Sequence, residues 1–397
     1  MEIVKRFNAR VSRWEYGVLC LFVVVNLAIH FSIINNPSEM VLDETYYVPD
    51  ARIILQEHTT GLLEHPPLGK LIIASNIALL GDNPAGWRTF PILFGTANIV
   101  LFYLICRRLG MSRRSSNISA FLLTFENLSF IQSSIAMLDV FSLTFMLLSF
   151  WLYLRRSYPL SALSVALAAL AKLTGVFAIG VIFLHWLIAN RTKKIHFLAS
   201  LALAPLSFLL LMPVLNAAIF HQLTNPISGI ETMLSGNLSL TFANAGHPNM
   251  IPPWEWLIVP KIMPYHYSPN YFGAISFTLW ALVIPVVIYM TFLALRKSRV
   301  GFFGVAWFAV TYLVWILITL ITDRVTYIYY FYPAIGAICI GLGAGLSWMV
   351  DFWKGRQTGA FRWVVLSGVL LFLFLHLTVF FLLSPVNPWP IENLLVS

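Results

Sequence analysis

Asp43 and Glu44 stand side by side in the first polar stretch of a chain that is otherwise poor in charge. Residues 36–88 also carry Asp50, Arg52, Glu57, Glu64, His65, Lys70, Asp82 and Arg88, with Pro66-Pro67 directly after the histidine. Adjacent carboxylates, an imidazole in a stiff turn and isolated cations suit chemistry on a charged substrate at a bilayer edge. A carboxylate takes a proton from an attacking hydroxyl, and Lys or Arg holds a phosphate. The bland readings are an acidic, proline-rich loop, and a helix over 45–57 capped by the acidic pair. Topology separates these readings.

Hydrophobic residues make up 59% of the 397 and charged residues only 10%, against about a quarter charged in soluble domains. The apolar runs are about 16–25 residues long, which predicts an all-α polytopic membrane protein, since helices satisfy their own backbone in lipid. Strand-sized alternation, the mark of a barrel, is absent. The net charge of +9 does not point to nucleic acid, because the basic residues form short clusters between spans. Cys20, Cys106 and Cys339 all fall within predicted spans and imply neither a disulfide nor a metal site. The apolar run behind the basic leader reads as a retained anchor, not a cleaved signal.

Taking each basic cluster as cytoplasmic fixes the crossings. Lys5, Arg6, Arg10 and Arg13 precede a span over 16–35, and further clusters lie at 107–114, 155–156, 191–194, 296–299 and 354–362. Residues 116–135 and 137–154 form a hairpin with its outer turn near Asp139, and 158–189 splits into two short spans meeting near Lys172. Span 195–215 leads outward, 216–270 is a second external segment, 271–295 returns, and 301–321, 326–350 and 363–383 complete the set. Residues 66–81 read as an amphipathic or re-entrant helix on the outer face, so that 88–107 crosses inward; the alternative is a twelve-span chain in which 66–81 crosses. The expectation is about eleven spans in one domain over 1–397, with the N-terminus cytoplasmic and the C-terminus extracytoplasmic. Its external loops are 36–87 and 216–270.

Six of the 25 Lys and Arg are left outside the cytoplasmic segments: Arg52, Lys70, Arg88, Lys172, Lys261 and Arg324. Asp43, Glu44, Asp50, Glu57, Glu64, Asp139, Glu231, Glu255 and Asp323 fall on the same outer side. Acids and cations are therefore expected to converge on an external site. No nucleotide fingerprint, Walker loop or HExxH motif is present, so an activated substrate would have to arrive in the lipid.

The chain resembles the protein O-mannosyltransferase family of the multi-span GT-C glycosyltransferases. The matching stretches are Asp43-Glu44, His65-Pro66-Pro67-Leu68-Gly69-Lys70, Trp87-Arg88-Thr89-Phe90-Pro91 with Phe94-Gly95-Thr96, and Met137-Leu138-Asp139. Lys172-Leu173-Thr174-Gly175, Pro253-Trp254-Glu255-Trp256 and the aromatic run Arg324–Pro333 complete the set. The resemblance implies a polyprenyl-phosphate sugar donor, usually a mannose, and transfer with inversion to an acceptor hydroxyl on the extracytoplasmic face of the cell membrane. Eukaryotic members carry a β-trefoil domain in the central external loop. Residues 216–270 are too short for one, so the chain resembles a bacterial or archaeal form, and protein Ser/Thr and lipid or glycan acceptors both stay open.

Such a transfer needs one carboxylate base and cations at the leaving phosphate. Asp43 is the first choice of base, with Glu44 beside it. Arg88 and Arg324 are the expected phosphate clamps, and Lys70 and Lys172 the secondary ones. Asp139 binds acceptor or pairs with a cation, and His65 orients substrate or supports the turn. Trp254 and Tyr327 are candidates for acceptor binding or site architecture. Trp256, Tyr265, His266 and Tyr267 stack on sugar or form an interfacial belt. No metal site is expected, the weaker alternative being a divalent cation on Glu44, Glu64 and His65. Glu126, inside an apolar span, needs a partner. A transporter would show inverted repeats and mid-membrane charge, and a scaffold would not need the outer cations.

Overall fold

The computed structural model describes residues 16–189, 194–354 and 359–389, with backbone only for 352–354 and 359–362. The leader Lys5, Arg6, Arg10 and Arg13, together with Arg191, Lys193 and Arg356, lies outside the described residues.

Helix α1 (Gly17–Ile33) is followed by the polar loop and by α2 (Glu44–Glu57), α3 (Pro67–Leu80) and α4 (Pro84–Arg108). Then come α5 (Arg113–Thr124), α6 (Asn127–Ser134), α7 (Leu138–Leu154), α8 (Tyr158–Ala171) and, after a 3₁₀ turn over Leu173–Val176, α9 (Phe177–Ala189). Helices α10 (Lys194–Phe220) and α11 (Pro226–Ser239) lead to a hairpin of β1 (Met263–His266) and β2 (Tyr271–Gly273). The short α12 (Phe277–Trp280), then α13 (Val283–Leu295), α14 (Arg299–Phe308), α15 (Val314–Thr322), α16 (Tyr332–Lys354) and α17 (Gly359–Leu383) finish the chain.

This is a helical integral membrane protein. Five described helices are long and apolar enough to cross a bilayer, and α6 with α7 makes a sixth path bent by 115°. Leu, Ile, Val and Phe surround these helices because lipid and bundle interior are both apolar. At the interior, Phe102, Phe150, Phe303 and Trp307 are fully or almost fully buried and meet edge to face.

One expectation about the elements changes. The run 116–135 is not one helix, because it breaks at Phe125-Glu126 and restarts with Glu126 as the cap of α6. Glu126 accepts hydrogen bonds from the backbone N–H groups of Ser129 (2.6 Å) and Ser276 (2.9 Å), so backbone donors are the partners its burial requires. By contrast, the break within 158–189 falls at Lys172, where the sequence places it.

Helix α3 has 14 residues, which at about 1.5 Å per residue falls short of a membrane core of about 30 Å. One face is buried against its neighbours, closely enough that a Cβ on Gly69 would lie 2.5 Å from the Ala171 carbonyl oxygen and 2.8 Å from Leu138. Gly69→Ala is therefore expected to push α3 off α8 and lower stability by about 1–3 kcal/mol, read as a fall in thermal midpoint in detergent.

Candidate active site

The first polar stretch is fixed by one buried ion pair. Arg88, near the start of α4, donates from Nε to Glu44 Oε1 (3.0 Å) and from Nη2 to Glu44 Oε2 (2.8 Å). Nη1 donates to the carbonyls of Ile34 (3.0 Å) and Pro37 (2.6 Å), and Nη2 also to that of Glu39 (2.9 Å). All five guanidinium donors are thus used. Glu44 is equally committed: besides Arg88 it accepts from the backbone N–H of Val41 (2.9 Å) and of Ala136 (2.8 Å), filling its four lone-pair sites. Both side chains are fully buried. These contacts correct two expectations. Arg88 has no donor left for a phosphate and Glu44 no lone pair for a proton. Together they tie the loop after α1, the start of α2 and the turn before α7 to α4.

Asp43 differs. It occupies the cap position of α2, yet its carboxylate does not cap the helix. Among the described residues it receives no hydrogen bond or ion pair, and it remains partly exposed. Leu42 before it takes φ +50°, a left-handed conformation that costs a bulky residue about 1–2 kcal/mol. Beyond that kink Glu44 is buried and Asp43 stays partly exposed. Burial pushes its carboxyl up to about 6; Lys172 draws it down and Asp139 raises it.

Those two residues lie close enough for their charges to reach Asp43. Lys172, at the break between α8 and the 3₁₀ turn, donates to both Asp139 oxygens at 2.8 and 2.7 Å. Its ammonium also lies 5.6 and 5.5 Å from the ring centres of Tyr329 and Tyr330, a cation–π arrangement. Lys172 is therefore neutralised in part by Asp139, which takes the salt-bridge reading of that acid. Tyr327 stacks on Tyr329 with 5.5 Å between centroids and stands edge-on to Tyr330. The aromatic run thus forms a wall.

Arg324 stands beside this wall. The chain ends α15 with Asp323 at φ +54° and then pairs with 240–242: Val325 N–H donates to Leu240 O, and Phe242 N–H to Asp323 O. The guanidinium has one hydrogen bond among the described residues, from Nη1 to Leu240 O at 3.1 Å. It lies at one edge of an apolar cavity of about 620 Å³ lined by α8, α9, α10, α11 and α15, among them Ala169, Phe208, Leu234 and Ile318. Tyr327 lies within reach of the charges of both Arg324 and Asp43.

The remaining candidates divide. Lys70 gives hydrogen bonds to Thr60 Oγ1 (2.9 Å) and the Leu62 carbonyl (2.7 Å) and bounds a separate small cavity with His65, Asn216 and Thr232. Burial lowers it to about 8 against the pull of Asp50 and Glu64, and its bonds make it a brace for the 60–62 turn, not a phosphate clamp. His65 Nε2 lies 3.4 Å from the hydroxyl of Tyr47. Burial, then Lys172, Lys70 and Arg324, lowers His65 to about 3, so the ring is neutral at pH 7. Because Glu44 is saturated, the trio Glu44, Glu64 and His65 does not form a ligand set, and no group of three His, Cys, Asp or Glu gathers among the described residues. Trp254 is exposed, while Trp256 is buried in the core against Tyr312 and Phe331.

Convergence of all six outer cations does not hold. Arg52 pairs with Asp82 at 2.8 Å, Arg88 with Glu44, and Lys261 is exposed. Sequence reasoning missed Tyr47, which lies four residues after Asp43 and so on its helical face, and Gln132, which donates to the Tyr265 hydroxyl at 2.9 Å. The four-residue spacing was the available signal for Tyr47.

Comparison with known proteins places this arrangement. The fold is shared with solved membrane proteins: the Saccharomyces cerevisiae protein O-mannosyltransferase Pmt1-Pmt2 complex bound to the sugar donor superposes with a TM-score of 0.71 at 11% identity, covering 94% of this chain and 90% of that one. ArnT from Cupriavidus metallidurans gives 0.57 at 17% identity over 94% and 76%. Residues 64–217 match the family model described as dolichyl-phosphate-mannose-protein mannosyltransferase. A polyprenol-phosphate-mannose–protein mannosyltransferase of Mycobacterium tuberculosis is 31% identical over 140 residues, 34% of this chain and 27% of the relative. One from Corynebacterium glutamicum is 27% identical over 158 residues, 37% of this chain and 30% of the relative. The matched stretch spans less than a third of either relative.

Proposed function

We propose that the chain is an inverting glycosyltransferase that moves mannose from a polyprenyl phosphate to a Ser or Thr hydroxyl of a protein. The observations that carry this are Asp43, a carboxylate with no hydrogen bond or ion pair among the described residues, and Arg324, whose guanidinium makes one hydrogen bond among them at the edge of an apolar cavity. The acceptor oxygen attacks the anomeric carbon and Asp43 takes its proton. The bond from that carbon to the phosphate oxygen breaks, and the electron pair leaves with polyprenyl phosphate. Arg324 stabilises the departing charge, and the apolar cavity receives the isoprenoid chain. Lys172, held by Asp139 over the tyrosine wall, keeps a positive field near the reacting centre. A phosphate leaving group needs no acid of the glycosidase kind. A divalent cation is not required by these residues.

The match to relatives named for protein mannosylation favours a protein acceptor. The inside-positive placement of basic clusters supports about eleven spans, an extracytoplasmic site and residence in the cell membrane. A labelled polyprenyl-phosphate mannose offered to membranes containing the full chain, followed by mass spectrometry of products, tests donor and acceptor together. Label on protein Ser or Thr is the expected result; label on lipid or glycan alone would move the acceptor, and no label would overturn the reading. Cysteine placed at exposed Thr45 should react with a membrane-impermeant reagent from outside the cell.

Arg324→Gln removes the charge while keeping the Leu240 contact within reach. Losing a charge-assisted bond worth about 1.5–3 kcal/mol is expected to lower kcat/KM for the donor by roughly 10–100-fold, with acceptor KM little changed.

A further inference from the structure

A second polar cavity lies at the other end of the bundle. Its volume is about 540 Å³, and it is lined by Arg108, Arg156, Arg299, Tyr153 and His185 with a few apolar neighbours. Asp139 stands at the start of α7 and Arg156 just past its end, so the helix of 17 residues separates the two sites by about 25 Å. Helices α4, α7, α9 and α14 each bring a group to this cavity.

We propose that this cavity binds a phosphate-bearing anion, a lipid headgroup phosphate or a soluble phosphate compound. Three arginines border it and no carboxylate does. Among the described residues none of the three makes an ion pair, whereas Arg114 on the same face is paired with Asp351. Behind them Tyr153 Oη and His185 Nδ1 are 2.8 Å apart, and His185 is 7% exposed. Its Nε2 has no hydrogen bond among the described residues, and the ring lines the cavity. A nearly buried imidazole nitrogen left for a ligand, beneath three guanidinium forks, matches the oxygens of a phosphate. Arg156 sits at φ +64°, in a helix-ending position that usually takes Gly.

An excess of cytoplasmic Arg alone does not produce this cavity, and the neighbouring residue shows the contrast. Arg155 carries the same charge one position earlier but turns away, with its guanidinium 4.5 Å from the ring centre of Trp151. The site is independent of the reaction assigned to Asp43.

The test uses the full chain in detergent. Native mass spectrometry with phosphatidylglycerol against phosphatidylcholine forms one arm, and thermal unfolding in sodium phosphate against sodium chloride at equal ionic strength forms the other. Wild type and Arg155→Gln are expected to bind in at least one arm. Arg156→Gln with Arg299→Gln should weaken that binding by about tenfold or more, as loss of charge-assisted hydrogen bonds does. Arg108→Gln, a single exposed change, repeats the measurement should the double variant fail to fold. Selective retention of phosphatidylglycerol identifies a lipid headgroup; stabilisation by inorganic phosphate identifies a soluble ligand. The proposal fails if neither arm shows selective binding, or if Arg155→Gln loses as much as the cavity variants.

Discussion

Asp43→Asn is expected to lower the transfer rate by about 10²–10⁴-fold, the usual contribution of a positioned general base, while leaving donor binding close to that of the wild type. The amide keeps the shape of the side chain but accepts no proton from the attacking hydroxyl. Burial, with Asp139 adding to it and Lys172 opposing, holds the carboxyl up at about 6 against an ordinary 3.8. In the wild type kcat/KM should therefore rise with pH through about 6 and level off above it. The sign for stability runs the other way. The unfolded chain ionises Asp43 near 3.8, so the folded state binds the proton more tightly and carries an unfavourable charge once the pH exceeds about 6. That penalty is absent below 3.8. Asp43→Asn should raise the thermal midpoint at pH 7, a gain of roughly 1–3 kcal/mol, and match the wild type near pH 4. A variant that lost stability would remove the raised pKa, and one that kept full rate would remove Asp43 from the chemistry.

Much of the architecture was legible because span length and charge placement are set by the bilayer, not by detailed packing. The break at Lys172 could be read because 158–189 is too long for one ordinary span and carries a single cation in its middle. The break at Glu126 could not, because its partners are backbone N–H groups of Ser129 and Ser276, and backbone donors leave no mark in sequence. The same limit explains the acidic pair. Consecutive residues at a helix start diverge by about 100°, so adjacency says that the two carboxylates differ but not which one faces the cleft. Leu42 at φ +50° decides it, and nothing in the identity of a leucine announces that conformation.

The outer cations show a related pattern. Topology identified them as unexplained by the inside-positive rule, and explanations of two kinds exist. Arg324 and Lys172 stand at the candidate site; Arg52 and Arg88 hold loops through Asp82 and Glu44. An arginine suits either role for the same reason, its planar fork of five donors, so residue type could not separate a phosphate clamp from a tie.

Glu44→Gln and Arg88→Leu are each expected to reduce the folded protein sharply, since removing one partner of a buried ion pair costs about 3–5 kcal/mol. In Arg88→Leu the carbonyls of Ile34, Pro37 and Glu39 lose their donor together with Glu44, so the loop before Asp43 loses its anchor to α4. In Glu44→Gln two of the four donors, Arg88 Nε with Ala136 N–H or Arg88 Nη2 with Val41 N–H, must face an amide NH₂ instead of an oxygen. Arg88→Lys should be nearly as damaging, because three ammonium donors do not serve five acceptors. Size-exclusion recovery and thermal midpoint measure the loss, and activity divided by folded enzyme separates it from chemistry. Each variant should fall steeply in yield and midpoint but retain a rate per folded molecule within about tenfold of the wild type, whereas Asp43→Asn should keep its fold and lose its rate. The double variant Glu44→Gln, Arg88→Leu should be less damaging than the sum of the two single changes, by about 1–3 kcal/mol, because the second change removes a charge that the first leaves unpaired. Normal folding of Glu44→Gln with a lost rate would transfer the role of base from Asp43 to its neighbour.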